Sequence, residues 1–327
     1  MNTPVLQVDG LNVRFRSGGD TVHAVRDLSL SVSPGEVVGV VGESGSGKSV
    51  TMMSIVRLLD PKTTDIQARE IAVEGRSLLR LGRRGLEAVR GPVVSYIFQD
   101  PLSALNPLLT VGRQITEGMR RHRGLSRGEA RARAIALLRR VGIPAPEVRI
   151  DQLPHHLSGG MRQRVMIAIA LATDPHLLIA DEPTTALDVT VQAEIVRLVQ
   201  SIQRERGMAM VWVTHDLALL ARLAHRVLVL YAGRIVEDAP AAVLYDQPSH
   251  PYTAALLAST SRIDDPFTEQ EPIKGSPPDP KLVSPGCSFA PRCPRARTRC
   301  REEQPQLFAM KSGSRAACFY PLGEPAP

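Results

Sequence analysis

The sequence has few aromatic residues and no long apolar run. Phe, Trp and Tyr make up 4% of the 327 residues, too few for the stacked platforms that bind single-stranded nucleic acid. No run approaches the roughly 18 consecutive apolar residues that span a bilayer, and the first ten residues lack a signal-peptide pattern. We therefore expect a soluble or peripheral protein in the cytoplasm.

Charge and length limit the function less strongly. The net charge of +7 is compatible with a nucleic-acid partner, an anionic membrane surface or an arginine-rich proteome. A hydrophobic fraction of 43% supports a real core. The length allows one large domain with a smaller one, or two medium-sized domains.

One stretch matches the phosphate-binding pattern G-x-x-x-x-G-K-[ST] at every required position. Its residues are Gly42, Glu43, Ser44, Gly45, Ser46, Gly47, Lys48 and Ser49. A β-branched run at 37–41 predicts a buried strand before it, and a helix is predicted after it, from Ser49 to about Leu59. In this arrangement backbone N–H groups face phosphate oxygens, Lys48 adds a positive charge and Ser49 offers a hydroxyl to Mg²⁺. The sequence predicts a nucleoside triphosphate site rather than a chance glycine-rich turn.

A second motif is an acidic pair after a hydrophobic segment. Residues 177–180 predict a buried strand that ends at Asp181 and Glu182. In nucleotide-hydrolysing folds such an Asp lies beside the Mg²⁺ held by Ser49, and the neighbouring Glu can polarise the attacking water. A solvated acidic pair at a strand end is the alternative, and the phosphate loop argues against it.

A third motif consists of Leu157, Ser158, Gly159 and Gly160. Ser158 can cap a helix that begins near Gly160, which leaves N–H groups and a positive dipole end free for an anion. Alone, this tetrapeptide would indicate only a helix start. Its position between the phosphate loop and the acidic pair makes it a candidate anion contact.

The remaining patterns predict the organisation of the chain. Strand and helix patterns alternate after residue 177, which predicts a mostly parallel sheet covered on both faces. Residues 106–165 are helical and arginine-rich, with capping-box spacing at Ser126 and Glu129, and predict a small helical insertion. Prolines become frequent after about Tyr245. We expect a nucleotide-binding domain at 1–245 and a small C-terminal domain at 246–327.

The order of the motifs resembles the ATP-binding subunit of ABC transporters. The motifs in chain order are the phosphate loop, Gln99, residues 157–160, Asp181-Glu182, Ala186-Leu187-Asp188 and His215. The resemblance covers about Leu6 to Glu237. It implies an α/β fold with a P-loop ABC ATPase domain: a RecA-like core, an antiparallel β edge and a helical subdomain at about 106–165. Met161 departs from the Gln of many members, but it follows the Ser-Gly-Gly and should leave phosphate contact intact.

The resemblance implies a role for each catalytic residue. Gln99 would sense the γ-phosphate and relay to membrane subunits, Glu182 would orient the attacking water, and His215 would clamp the γ-phosphate. The Mg²⁺ ligands would be Ser49, Gln99 and Asp181.

The resemblance also implies the contacts of the base and of a second subunit. Phe15 would stack on adenine with Val22 nearby, while ordinary core packing is the alternative for Phe15. The ATP contacts would continue through the phosphate loop to Val50. The segment 158–160 would close on the phosphate loop of a second ATPase subunit, and Asp188 would link the two sites.

Three further segments are like those of oligopeptide and dipeptide importers. They are residues 99–107, 250–253 and 286–294. Nickel-uptake ATPases share parts of this pattern, so a nickel or other small-solute importer is the alternative. The resemblance implies a second, homologous ATPase subunit, two transmembrane permeases and, indirectly, an extracytoplasmic solute-binding protein. It thereby implies a peripheral position on the cytoplasmic face of the inner membrane, and no nucleic-acid partner.

The cysteines are confined to the tail, at Cys287, Cys293, Cys300 and Cys318. Their spacing matches neither the zinc-finger pair nor the common ferredoxin run, so spacing alone identifies no metal. Four soft ligands suit Zn²⁺ or an iron–sulfur cluster, and five arginines between 292 and 301 are expected to lower the thiol pKa values. The resemblance to related tails favours a [4Fe-4S] cluster over Zn²⁺. Reduced free thiols are the remaining alternative.

Two other classes of function are weighed against a transporter ATPase. A soluble ABC ATPase acting on nucleic acid or ribosomes fits the basic charge. The single nucleotide domain, without a coiled-coil arm or an inserted DNA-reading module, argues against it. A regulatory iron–sulfur sensor that merely binds ATP does not explain why Gln99, Glu182 and His215 occur together.

Overall fold

The structure is a computed structural model that describes residues 3–17, 20–184, 188–259, 273–282 and 284–323. Positions 186–187 of the predicted motif that ends at Asp188 lie outside the described residues.

Strands and helices alternate along much of the described chain. The strands, β1 to β13 in order, are Leu6–Ser17, Asp20–Val32, Val37–Val41, Thr64–Gln67, Glu70–Val73, Arg76–Ser77, Val94–Ile97, Leu177–Asp181, Ala209–Val213, Arg226–Tyr231, Arg234–Pro240, Phe308–Ala309 and Arg315–Ala316. The helices, α1 to α12 in order, are Lys48–Ile55, Arg83–Val89, Pro101–Ala104, Val111–Arg123, Arg127–Arg140, Pro146–Arg149, Gly159–Leu171, Val189–Arg206, Leu217–Leu223, Ala241–Asp246, Pro251–Ala258 and Thr298–Glu302. In this described part no helix is both long and apolar enough to cross a membrane.

The chain divides into two compact units. The first, here called the helical unit, comprises residues 1–5, 32–36 and 73–211. The second, the phosphate-loop unit, comprises residues 6–31, 37–72 and 212–327. Each unit is described by itself.

The phosphate-loop unit contains parts of two sheets. In one, β1 lies between β2 and β5 and also pairs antiparallel with β4. In the other, the order is β12-β13-β11-β10-β3, with β10 parallel to β3 and antiparallel to β11. Val37–Val41 is completely buried, as a strand covered on both faces requires. The antiparallel pairs agree with the β edge implied by the resemblance.

The helical unit contains the neighbouring strands β9, β8 and β7, of which β7 and β8 are parallel. Helix α5 begins with the predicted capping box: the Ser126 hydroxyl accepts from the Glu129 N–H (3.3 Å), and the Glu129 carboxylate accepts from the Ser126 N–H (2.9 Å). Four apolar residues of α5 are buried: Ala130, Ala134, Leu137 and Leu138. Helices α4, α5 and α6 lie within the segment 106–165 that was predicted to be helical.

The described part of the C-terminal tail belongs to the phosphate-loop unit. Strand β13 pairs with β11, with Ala316 opposite Glu237. The tail also has a small core of its own, in which Ala290, Cys300 and Phe319 are buried. The tail is thus connected by strand pairing to the same unit as the phosphate loop.

Candidate nucleotide-binding site

The phosphate loop connects β3 to α1, as predicted. Helix α1 ends at Ile55, earlier than the predicted Leu59. The reason is the backbone of Arg57, which has a positive φ of 56° and cannot continue a right-handed helix. The loop and the start of the helix, which carry the chemistry, are unaffected by this difference.

Two glycines give the loop its shape. Gly42 has φ 158°, and a Cβ there would overlap the carbonyl oxygen of Leu230. Gly47 has φ 97°, and a Cβ there would lie 2.8 Å from the carbonyl oxygen of Ala24. Other side chains rarely adopt such φ values and would collide with backbone here, so both positions require glycine.

Two polar side chains of the loop are buried. Lys48 Nζ donates to the carbonyl oxygens of Gly42 (2.8 Å) and Glu43 (3.0 Å), which keeps the loop curled. The Ser46 hydroxyl is buried and has no hydrogen-bond partner among the described residues. An unpaired buried hydroxyl costs free energy until a ligand satisfies it. The loop therefore offers a donor to a phosphate oxygen and fits ATP.

A cavity next to the loop brings several predicted ATP contacts together. Phe15, Val22 and Val50 line it with loop residues 43–47. Burial, followed by the charges of nearby arginines, lowers the pKa of His23 in the same lining to about 4, so this histidine is neutral at pH 7. The position of Phe15 on a cavity wall favours base stacking over ordinary core packing.

The sequence reasoning missed part of this cavity. Tyr231 and three tail prolines, Pro277, Pro278 and Pro280, also line it. No motif connects these prolines with a phosphate loop more than 200 residues away. Only their position in the fold identifies them.

His215 lies in the phosphate-loop unit, between β9 and α9. Just before it, the Thr214 N–H donates to the carbonyl oxygen of Val40 (3.1 Å), so this turn starts beside β3. Just after it, Asp216 caps α9 by accepting from the Leu219 N–H (3.0 Å). The His215 side chain itself is exposed. The turn is anchored on both sides of a histidine that can reach a ligand.

The acidic pair lies at the end of β8 in the helical unit. Asp181 is buried and accepts a hydrogen bond from the Tyr96 hydroxyl (2.7 Å). Burial and the adjacent carboxylate raise the pKa of Tyr96, so its phenol remains a donor at neutral pH. Tyr96 fixes the orientation of Asp181, and no sequence pattern indicated it.

Glu182 adopts an unusual backbone conformation, with φ 45°. Its carboxylate accepts a hydrogen bond from Gln99 Nε2 (3.2 Å). The structure therefore brings together two predicted catalytic residues, separated by 83 positions in the chain. Left-handed conformations of residues other than glycine are costly and cluster at functional sites.

The residues predicted to face a second subunit are helix caps. Ser158 accepts from the Met161 N–H (3.3 Å), and α7 begins at Gly159, one residue earlier than predicted. Asp188 accepts from the Val191 N–H (3.0 Å) at the start of α8. Ser158, Gly159 and Asp188 are exposed. Helix starts of this kind can receive an anion.

The predicted site residues are divided between the two units. The phosphate-loop unit holds Phe15, Val22, the loop with Val50, and His215. The helical unit holds Gln99, Asp181, Glu182, residues 158–160 and Asp188. A joint Mg²⁺ site of Ser49, Gln99 and Asp181 therefore stays a prediction.

The four cysteines of the tail line one cavity in the phosphate-loop unit. All four are free thiols. Burial raises the pKa of Cys287 to about 11 and that of Cys318 to about 12, and also raises the pKa of Cys293. The prediction that arginines lower these values is therefore wrong.

Arg295 lowers the pKa of Cys293 by less than burial raises it, and three of the other arginines contact different groups. Arg292 pairs with Glu43 of the phosphate loop. Arg297 lies over the ring of Tyr320 (4.2 Å), and Arg299 lies over Phe319 (4.0 Å) while pairing with Glu303. Across the described residues, no group of three or more His, Cys, Asp or Glu is arranged to hold a metal ion. A Zn²⁺ or [4Fe-4S] site at these cysteines therefore stays a prediction.

Comparison with known proteins agrees with the motifs. Residues 25–185 match the family model "ABC transporter", and residues 236–300 match "Oligopeptide/dipeptide transporter, C-terminal region". The chain is 46% identical over 320 residues to the dipeptide transport ATP-binding protein DppD of Escherichia coli, covering 98% of both chains. It is 46% identical over 301 residues to DppD of Bacillus subtilis, covering 92% of this chain and 90% of that one.

A solved structure gives the same result. A dimeric ATP-binding cassette in a post-hydrolysis state, bound to ADP and Pi, superposes with a TM-score of 0.65 at 29% identity, covering 72% of this chain and 98% of that one. The fold and the site thus define an ABC-type ATPase, and the predicted fold class is confirmed. The chain belongs to the ABC transporter family, among the ATP-binding proteins that carry the oligopeptide/dipeptide transporter C-terminal region.

Proposed function

We propose that this chain is the ATP-hydrolysing subunit of an importer for dipeptides or oligopeptides. The observation that carries the proposal is the loop 42–49, curled around Lys48 next to a cavity lined by Phe15 and Val22. The cargo class is supported by relatives of nearly the same length, both named dipeptide transport ATP-binding proteins.

The phosphate-loop unit would bind the nucleotide. The base would enter the cavity beside Phe15, and the phosphates would meet the N–H groups at the start of α1. Lys48 Nζ, which donates to loop carbonyl oxygens in this structure, would turn to donate to the phosphates. The unpaired hydroxyl of Ser46 would donate to a phosphate oxygen. His215 would clamp the γ-phosphate. These groups offset the charge of the transferring phosphoryl group.

The helical unit would supply the groups that act on water. Glu182 would orient a water in line with the γ-phosphorus, and Gln99 holds the Glu182 carboxylate through the observed hydrogen bond. The Tyr96 hydroxyl fixes the orientation of the Asp181 carboxylate by donating a hydrogen bond to it. A Mg²⁺ held by Ser49, Asp181 and Gln99 would neutralise phosphate charge.

A second ATPase subunit would complete the site. The exposed helix starts at Ser158 and Asp188 are suited to face another phosphate loop, and the solved relative is a dimer. The partner would be a different but homologous ATPase, and two transmembrane permeases and a solute-binding protein would supply the pathway and the cargo. The chain would then lie at the cytoplasmic face of the membrane, held by its permeases.

The proposed domain division follows the two family matches. A nucleotide-binding domain at 1–245, with a helical subdomain at about 106–165, would be followed by a C-terminal domain at 246–327. The matched ranges 25–185 and 236–300 support two domains. The described helices from α4 to α6 support the subdomain.

The cofactor of the tail is a separate hypothesis. The hypothesis is supported by the cavity that all four cysteines line. As thiolates, these side chains could hold a [4Fe-4S] cluster or, alternatively, Zn²⁺. Because Cys287, Cys293 and Cys318 have raised pKa values, binding would release protons and strengthen with pH. Iron and acid-labile sulfide, measured after anaerobic purification, would support the cluster, whereas one zinc per chain without iron contradicts it.

Co-purification tests the transporter function. The tagged chain is extracted from native membranes in mild detergent, and its partners are identified by mass spectrometry. We expect two hydrophobic permeases and a second ATPase of similar size. Recovery only in the soluble fraction with nucleic acid or ribosomes would refute the proposal.

A further inference from the structure

Arg292, in the cysteine-containing tail, makes a two-point ion pair with the phosphate loop. Its Nη1 donates to Glu43 Oε2 (2.6 Å) and its Nη2 donates to Glu43 Oε1 (3.0 Å). The Arg292 side chain is 4% exposed and that of Glu43 is 24% exposed. Bidentate pairs of this kind are strong and fix geometry. The second residue of the loop is therefore held by a residue 249 positions later in the chain.

A second contact of the C-terminal region reaches the backbone of the same loop residue. The Glu43 N–H donates to the hydroxyl of Tyr252 (2.9 Å). The Tyr252 ring lies 5.3 Å from the Phe289 ring and 4.6 Å from the Tyr231 ring, measured between centroids. Both the side chain and the N–H of Glu43 are thus engaged by residues that follow β11.

Arg292 also anchors the segment that leads to the cavity. Its Nε donates to the carbonyl oxygen of Lys274 (3.0 Å), and its Nη2 donates to that of Ile273 (3.3 Å). A few residues later, Pro277, Pro278 and Pro280 line the cavity that holds Phe15. The following residue, Lys281, pairs with Asp20 (2.7 Å). The segment is tied down on both sides of the prolines.

We propose that the tail completes the nucleotide site: Arg292 positions and neutralises Glu43 in the phosphate loop, and the three prolines form part of the wall that meets the base. The inference rests on the proposed function, since it concerns how the same chain binds ATP. Arg292 is a positioning residue, acting on the phosphates through Glu43.

The charge of Glu43 explains why such a partner is needed. A carboxylate within a loop that must receive a polyphosphate repels its ligand, because like charges a few ångströms apart destabilise one another. Arg292 cancels that charge and directs the carboxylate toward the tail. Without Arg292 the unpaired carboxylate would face the phosphates. Removing the Glu43 carboxylate together with Arg292 should therefore restore ATP affinity.

The test measures ATP affinity of the full chain by isothermal titration. We expect Arg292→Ala to weaken binding about ten-fold at low salt, which corresponds to about 1.4 kcal/mol. The Arg292→Ala/Glu43→Gln double variant should recover most of the ATP affinity that Arg292→Ala loses, because the repelling carboxylate is then absent. Because dissolved ions screen the repulsion between Glu43 and the phosphates, the loss of ATP affinity in Arg292→Ala should become smaller as the salt concentration rises.

Two further variants separate charge from folding. Arg299→Ala is the matched control, because Arg299 lies in the same tail but pairs with Glu303. It should leave ATP affinity unchanged. Arg292→Lys keeps the charge without the two-point geometry, so it should lose less affinity than Arg292→Ala. This variant keeps the test decisive if Arg292→Ala unfolds.

The outcomes distinguish the two proposals. A wild-type chain that binds no ATP refutes the proposed function. If the wild type binds ATP, the role of Arg292 is overturned either by Arg292→Ala binding equally well or by a double variant as weak as the single one. In those cases the ATPase function stands.

The proline wall has its own test. Pro278→Gly should weaken ATP several-fold yet leave the affinity for inorganic tripolyphosphate unchanged, because only ATP carries a base. Glycine also removes the side chain from the lining. Equal affinity of the variant and the wild type for ATP, or an equal loss for both ligands, overturns this part of the proposal.

Discussion

Replacing Tyr96 with Phe removes one oxygen atom and tests whether the strand-end aspartate is held as the structure indicates. The Tyr96 hydroxyl donates to Asp181 at 2.7 Å, and Asp181 is only 4% exposed. A hydrogen bond to a charged group contributes about 1.5–3 kcal/mol to stability. We expect Tyr96→Phe to lower the free energy of unfolding by about 2 kcal/mol.

Thermal unfolding of the nucleotide-free chain measures this loss. A change of about 2 kcal/mol corresponds to a decrease in Tm of about 4–8 °C for a unit of 150–250 residues. Tyr320→Phe is the control: the Tyr320 ring lies under Arg297 (4.2 Å), a contact that survives without the hydroxyl. The control should shift the free energy of unfolding by less than about 0.5 kcal/mol.

Tyr96→Phe should also change the Mg²⁺ dependence of ATP hydrolysis. If Asp181 is a Mg²⁺ ligand, its loss of orientation should raise the Mg²⁺ concentration for half-maximal activity by about 10-fold or more. Stability and Mg²⁺ dependence both equal to those of wild type would refute the role of Tyr96. A stability loss with unchanged Mg²⁺ dependence would instead remove Asp181 from the metal site.

Three other predictions follow from the site and the tail. Glu182→Gln should bind ATP normally but lower kcat about 100-fold or more in a phosphate-release assay, and near-normal turnover would contradict its role. Gly42→Ala should abolish ATP binding in a titration, since its Cβ meets backbone, whereas Gly128→Ala, at an open position, should not. At pH 8 the metal-free native chain should react with iodoacetamide at Cys287 about 100-fold more slowly than the urea-unfolded chain, because burial raises that pKa to about 11. The rate of Cys287 alkylation in the native chain should rise with pH up to about pH 11. Equal alkylation rates in the native and unfolded chains would contradict the raised pKa.

Short motifs were predictable from the sequence because their chemistry is local. The strand, phosphate loop and helix around Lys48 formed in the predicted order, since each depends on residues within a few positions. The cap at Ser158 formed for the same reason. The capping box of α5 is equally local and equally well predicted.

Long-range partners were not predictable. Tyr96 is 85 positions from Asp181 and Arg292 is 249 positions from Glu43, and no motif connects the members of either pair. The thiol pKa values were predicted in the wrong direction for a related reason. Neighbouring arginines in sequence suggested thiolate stabilisation, but the fold directs Arg292 to the phosphate loop and buries Cys287.

The pairing of β13 with β11 has a consequence for how the chain can be shortened. The Ala317 N–H donates to the carbonyl oxygen of Val236 (2.8 Å), and Arg315 pairs with the buried carboxylate of Asp238. A protein cut at residue 245 would lose both contacts. Strand β11 would then be an open sheet edge that can pair with strands of other molecules, and Asp238 would keep Arg226 but lose Arg315. We therefore expect the tail to protect the chain against aggregation by covering this sheet edge, independently of any role in nucleotide binding.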